Sequence, residues 1–261
     1  MYMISLLICT VFTFAIIKKF NGEVNDSIIN IVILFNQFLI AIMLFHKLNI
    51  CKDTIVLLIE DCKRNINIKE ISYVLITNIL LSIGGSNIIM ALIYLISPSF
   101  AGEFISESPI IINGDVDYII CFFLVVVLAP VTEELIFRHV LFKRLTEKFN
   151  IYVGLFVSVI IFSSLNAGCG MLGALGFGII NCFLYIKYKN ILIPMLIHFV
   201  NNLLAITIFL PISDYSGNIT IIEKNQVMFS AISGIIIFVM GVILLIRFIN
   251  ANKKYLRINY I

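Results

Sequence analysis

The chain has 261 residues, of which 61% are hydrophobic and only 13% charged, and its formal net charge is +3. Soluble domains carry about 25% charged residues, so the composition excludes an ordinary soluble protein and calls for a lipid-embedded one. The Lys and Arg residues are scattered along the chain and form no basic face, which speaks against a nucleic-acid partner.

A helix needs about 20 mostly apolar residues to cross the hydrocarbon core. In chain order, stretches of this kind fall at 1–17, 27–46, 71–97, 117–137, 151–166, 171–187, 191–211 and 227–248. The predicted fold is an all-α membrane protein of about eight transmembrane helices, with a polar site inside the helix bundle. The first stretch lacks a basic start and a small-residue cleavage site, and reads as a retained span. An amphipathic stretch near 54–70 is expected to lie along the membrane surface. The fifth and sixth spans are short and flank the Gly-rich run "NAGCGMLGALGFG".

Connections after spans two, four and six, together with the C-terminal tail, hold 14 of the 18 Lys and Arg residues. By the positive-inside rule both termini face the cytoplasm of a multi-pass cell-membrane protein, with Lys18 and Lys19 the exception. Three regions follow: N-terminal spans over 1–116, a motif-bearing core over 117–205, and a final span with a basic tail over 206–261. The six cysteines show no Cys-x-x-Cys spacing, and free thiols packed among helices are expected.

Ionisable groups at bilayer depth cost at least about 2.5–3.5 kcal/mol each and mark functional candidates. "VTEELIFRHVLF" carries two adjacent carboxylates into the fourth span. Glu134 and Arg138 are four apart, about 40° round a helix, and can pair, whereas Glu133 points about 100° away without a local partner. The bland alternative puts this stretch at the mouth of the span, where its charges are solvated. Pro130, one turn earlier, is expected to kink the helix and free nearby carbonyls.

In "IPMLIHFVNNLL", His198 and Asn202 share one helix face. In "FSSLNAG", Asn166 lies about 16 residues after the expected turn at Phe149–Asn150 and Glu133 about 16 before it, so a helical hairpin sets them at similar depth. Asn166 is therefore expected to face Glu133, unless it and its neighbouring serines merely cap the helix end.

Taken together, Glu-Glu-x-x-x-Arg, Phe-x-x-x-Asn and His-x-x-x-Asn on successive spans resemble the three motifs of the CPBP family of intramembrane proteases, the CAAX-protease and bacteriocin-processing (ABI) enzymes. The resemblance covers about 117–205. It implies that Glu133 activates water, that Glu134 and Arg138 hold the site together, and that His198 and Asn202 bind the oxyanion of the scissile carbonyl. A metal reading of the family, usually zinc, would enlist Glu133 and His198. The departure is Asn166, which stands where the family has His; an amide holds water but cannot take its proton, and it is a poor metal ligand. His139 points to another face of its helix and does not replace it.

The resemblance therefore implies an intramembrane endopeptidase acting on a membrane-associated peptide or protein. The alternative is a catalytically impaired relative that binds a partner, such as a sensor kinase or peptide exporter, in bacteriocin self-immunity or membrane signalling. A transporter would spread polar groups over many spans; here they concentrate on three.

Overall fold

The computed structural model describes residues 26–101, 114–166, 168–209 and 224–257. The expected first span, 1–17, lies outside these residues. Among the described residues the chain is wholly helical, without strands: α1 (Asp26–Lys47), α2 (Lys52–Asn65), α3 (Ile68–Ile96), α4 (Asp115–Lys148), α5 (Ile151–Leu165), α6 (Met171–Tyr188), α7 (Leu192–Leu204) and α8 (Lys224–Asn252). Five helices in this region are long and apolar enough to cross a membrane, and α5 and α7 are shorter apolar helices. The chain is a multi-pass membrane protein.

Local chemistry sets the helix ends. Asn67 Oδ1 accepts the backbone N–H groups of Lys69 and Glu70 at the start of α3. Asn150 Oδ1 does the same for Val153 N at 2.9 Å, and so starts α5 right after the expected turn. Lys189 adopts a left-handed conformation (φ 52°) that ends α6, and Asn190 then caps Leu192 N.

The fourth span departs from its expected end at 137: α4 runs on to Lys148. Hydropathy falls at Lys143 and Arg144, but Lys-Arg-Leu-Thr-Glu-Lys is composed mostly of good helix formers, and nothing stops the helix before Phe149. The Glu-Glu-x-x-x-Arg motif therefore sits in the middle of a long helix and not at its mouth. Two π-helical stretches, Phe123–Leu128 and Leu135–Phe142, flank Pro130. Such π turns replace the sharper break expected at the proline.

Small residues bring α3 against two partners. A Cβ at Gly84 would lie 2.5 Å from the backbone N of Phe238, and one at Gly234 would lie 2.6 Å from Asn87 Cβ, so α3 and α8 touch backbone to backbone. On the other side of α3, a Cβ at Gly173 of α6 would meet Ser82 Oγ at 2.4 Å. This close approach is what carries the polar side chains of α3 towards α6 and α7. Outward side chains of α8, including Ile232, Ile235, Val239, Ile243 and Ile246, are exposed and form a lipid-facing surface.

At one end of the bundle the connections converge. Asn190 Nδ2 donates to Leu58 O (2.8 Å) and Asp61 Oδ2 (2.9 Å) of α2. Lys187 Nζ bonds both oxygens of Glu70 at 2.6 and 2.7 Å and lies 5.8 Å from the ring centre of Tyr255, in the turn after α8. The amphipathic helix expected near 54–70 is α2, Lys52–Asn65, packed across this end.

Candidate active site

Side chains from α4, α6 and α7 meet around one carboxylate. Glu134 and Arg138, both fully buried, pair with Arg138 Nε 3.1 Å from Glu134 Oε2. Asn181 Nδ2 donates to Glu134 Oε1 at 3.1 Å, and His198 Nδ1 lies 2.9 Å from the same oxygen. The guanidinium carbon of Arg138 sits 4.4 Å from the ring centre of Phe162, the aromatic residue of the second motif. Phe177 packs 4.8 Å from the imidazole of His198 and completes an apolar wall. A charge pair in this setting is held by both Coulomb attraction and hydrogen bonds, so removing either partner strands the other.

Glu133 differs from its neighbour. Its side chain is 32% exposed, and its Oε2 lies 4.0 Å from His198 Nε2. Because the carboxylate of Glu134 accepts from Nδ1, the proton of a neutral His198 rests on that nitrogen, and Nε2 is the atom directed at Glu133. The pair Glu134–His198 thus orients an imidazole against a second, more accessible carboxylate.

Asn202 Nδ2 donates to the backbone carbonyl of Val125 at 2.8 Å. Pro130 explains why that carbonyl is available. Within the π-helical stretch, Ala129 N–H bonds Leu124 O, five residues back. The next donor in that series would be residue 130, which has no N–H, so Val125 O is left for a side chain.

A cavity of about 140 Å³ is lined by Asn166, His198 and Asn202, with Asn78, Asn201 and Phe177 among its other walls. Asn166 reaches this cavity, but no contact joins it to Glu133 among the described residues. Its Nδ2 instead donates to Phe162 O at 3.0 Å, one turn back, at the C-terminal end of α5. Ser163 and Ser164 likewise bond carbonyls of their own helix. The Asn166 amide and its neighbouring serines thus cap their own helix end, the alternative the sequence left open. His139 bonds Tyr185 OH at 2.9 Å through Nδ1 and is occupied elsewhere.

The site also contains residues that sequence reasoning passed over. Asn181 and Asn78 are buried amides within membrane spans, 0% and 2% exposed. Their signal was a neutral polar group at bilayer depth, which a search for ionisable residues misses.

Residues 115–204 match the model of one protein family, described as type II CAAX prenyl endopeptidase Rce1-like. Over this segment the chain is similar to that CPBP-type family. Comparison with curated proteins and with solved structures found no match. The Rce1-like segment begins where α4 begins and ends where α7 ends, so it contains every helix that supplies Glu133, Glu134, Arg138, Asn166, His198 and Asn202. It leaves out α3 and Asn78.

Proposed function

We propose that this chain is an intramembrane endopeptidase of the CAAX-protease type, hydrolysing a peptide bond of a membrane-associated peptide or protein. The observation that carries this reading is the buried Glu134–His198 contact, which aims an imidazole nitrogen at the accessible Glu133, 4.0 Å away. In this mechanism Glu133 removes a proton from water as the water oxygen attacks the scissile carbonyl carbon. His198, when protonated at Nε2, and the second amide proton of Asn202 stabilise the resulting oxyanion. The proton held by Glu133 then passes to the leaving nitrogen as the C–N bond breaks. Glu134 and Arg138 position His198 and do not touch substrate.

The mechanism is drawn without a metal. A firmly held zinc takes three or four good protein ligands. Among the described residues no group of three or more His, Cys, Asp or Glu side chains is placed to hold a metal, and the amide oxygens of Asn166 and Asn202 are weak zinc ligands. The full chain is proposed to span the cell membrane eight times with both termini cytoplasmic.

Wild-type protein in proteoliposomes is expected to cleave an internally quenched, prenylated Cys-aliphatic-aliphatic-X peptide. Glu133→Ala is expected to lower the cleavage rate by roughly 10²-fold or more. Unchanged cleavage in that variant would sink the assignment.

A second reading is favoured by Asn166, whose amide caps a helix where the family's motif has a histidine. In that reading the chain is a catalytically impaired relative acting through a membrane partner, for example in self-immunity to a bacteriocin. It predicts negligible wild-type cleavage and a strong gain in Asn166→His.

A further inference from the structure

Three asparagines connect α3 to the cavity. Asn78 Nδ2 donates to Asn201 Oδ1 at 2.7 Å, Asn201 Nδ2 donates to Asn202 Oδ1 at 3.3 Å, and Asn202 Nδ2 donates to Val125 O at 2.8 Å. The direction of this chain is fixed by its last member. A backbone carbonyl only accepts, so Asn202 must turn its NH2 group to Val125 and its oxygen to Asn201. Asn201 must then offer its NH2 group to Asn202 and its oxygen to Asn78. Asn78, in turn, spends a proton on Asn201 and is left with its own oxygen unmatched. Asn78 Oδ1 is indeed a buried acceptor without a partner among the described residues, on a side chain that is 2% exposed.

A lone buried amide oxygen is unfavourable, and more so at bilayer depth, unless something donates to it. Asn78, Asn201 and Asn202 all line the cavity shared with His198. One end of the series therefore holds an unmatched acceptor in the cavity wall, and the other retains a second amide proton. A peptide group carries the matching pair, an N–H and a C=O.

We propose that Asn78, Asn201 and Asn202 form a peptide-binding shelf: Asn78 Oδ1 accepts a backbone N–H of the substrate, and Asn202 donates to its carbonyl side. Asn201 is a positioning residue that, together with Val125 O, anchors the Asn202 amide. The inference rests on the endopeptidase reading and adds a binding residue from outside the Rce1-like segment. The missing N–H of Pro130 sets the polarity of the whole shelf.

The test uses the full chain in proteoliposomes with the quenched prenylated peptide. Binding is read separately, by anisotropy of a dye-labelled peptide in the Glu133→Ala background. Asn78→Ala removes the acceptor, and its Kd and KM are expected to rise roughly fivefold, the worth of about one hydrogen bond. Asn78→Asp in its ionised form keeps an oxygen acceptor but cannot donate to Asn201. There kcat should fall roughly tenfold or more as Asn202 loses its orientation, while KM stays within about twofold. Asn201→Ala should reproduce that split. Apolar replacement of one amide in a membrane helix costs about 0.6 kcal/mol on average, so the alanine variants are expected to fold, and thermal unfolding in detergent verifies this for them and for Asn78→Asp.

If Asn78→Ala and Asn78→Asp both keep wild-type kcat, KM and Kd while Glu133→Ala is inactive, the shelf is overturned and the endopeptidase reading stands. If Glu133→Ala is fully active, the endopeptidase reading falls and takes the shelf with it. A wild type that neither binds nor cuts the peptide also overturns both.

Discussion

Two oxygens of Glu134 serve three partners: Arg138 forms an ion pair at Oε2, and both His198 and Asn181 hydrogen-bond Oε1. The Arg138 partner was legible in the sequence, because i,i+4 spacing on a helix is a local relation that needs no knowledge of the fold. The other two were not, since nothing local relates residue 134 to residues 181 or 198. The cluster makes a stability prediction that is independent of cleavage. Arg138→Met leaves a buried carboxylate without its cation and is expected to destabilise the protein by about 3–5 kcal/mol. The double variant Glu134→Gln with Arg138→Met removes both charges and should lose much less. Thermal unfolding of the two proteins in the same detergent checks the order. Equal losses would show that the pair contributes by packing and not by charge.

At the scale of elements, α4 does most to place the site. Its proline was expected to free carbonyls, and the freed group is Val125 O, taken by Asn202. Thr132 Oγ1 bonds Leu128 O at 2.9 Å and ties the same region together. Pro130→Ala restores an N–H that competes with Asn202 for Val125 O. The expected outcome is a protein that is at least as stable, since an interior proline costs a helix about 3 kcal/mol, with cleavage reduced as Asn202 is released. A Tm and a turnover rate moving in opposite directions would be the signature.

The end of α4 was misread because charge density falls with depth in a bilayer but does not terminate a helix. The capping role of Asn166 has a related cause. Equal depth in a hairpin fixes height along the helix and leaves rotation free, and the amide at a helix end is first claimed by the helix's own carbonyls. The role of the glycines is a third thing spacing conceals. That Gly173 lets α3 come within van der Waals reach of α6 is visible only once both helices are placed.

For the molecule as a whole, the described connections richest in Lys and Arg gather at one end, where α2, the turn at Asn190 and the turn after α8 meet. The proposed orientation puts this end in the cytoplasm, and Cys51 offers a direct probe. Its thiol is exposed at the start of α2, with Sγ 3.1 Å from Thr54 Oγ1. That hydroxyl, followed by backbone groups of the first turn, holds its pKa below the ordinary value, whereas burial raises that of Cys62. The reactive thiolate therefore persists to lower pH at Cys51 and is lost first at Cys62 as pH falls. A membrane-impermeant maleimide at neutral pH should label Cys51 before Cys62, and only after the cells are opened. Labelling of Cys51 in sealed cells would reverse the topology.

The shortness of α5 bears on how the proposed endopeptidase would obtain water inside a lipid layer. Its 15 residues, Ile151–Leu165, rise about 22 Å, against a hydrocarbon thickness of about 30 Å. Starting from the turn at Asn150, α5 thus stops several ångströms below the far surface, and the chain around Gly168 turns back there with φ 94°. Irregular backbone at that depth is tolerable only against protein or a wet recess. The cavity beneath Asn166 supplies the recess, so the length of one helix doubles as a well that opens onto His198 and Asn202.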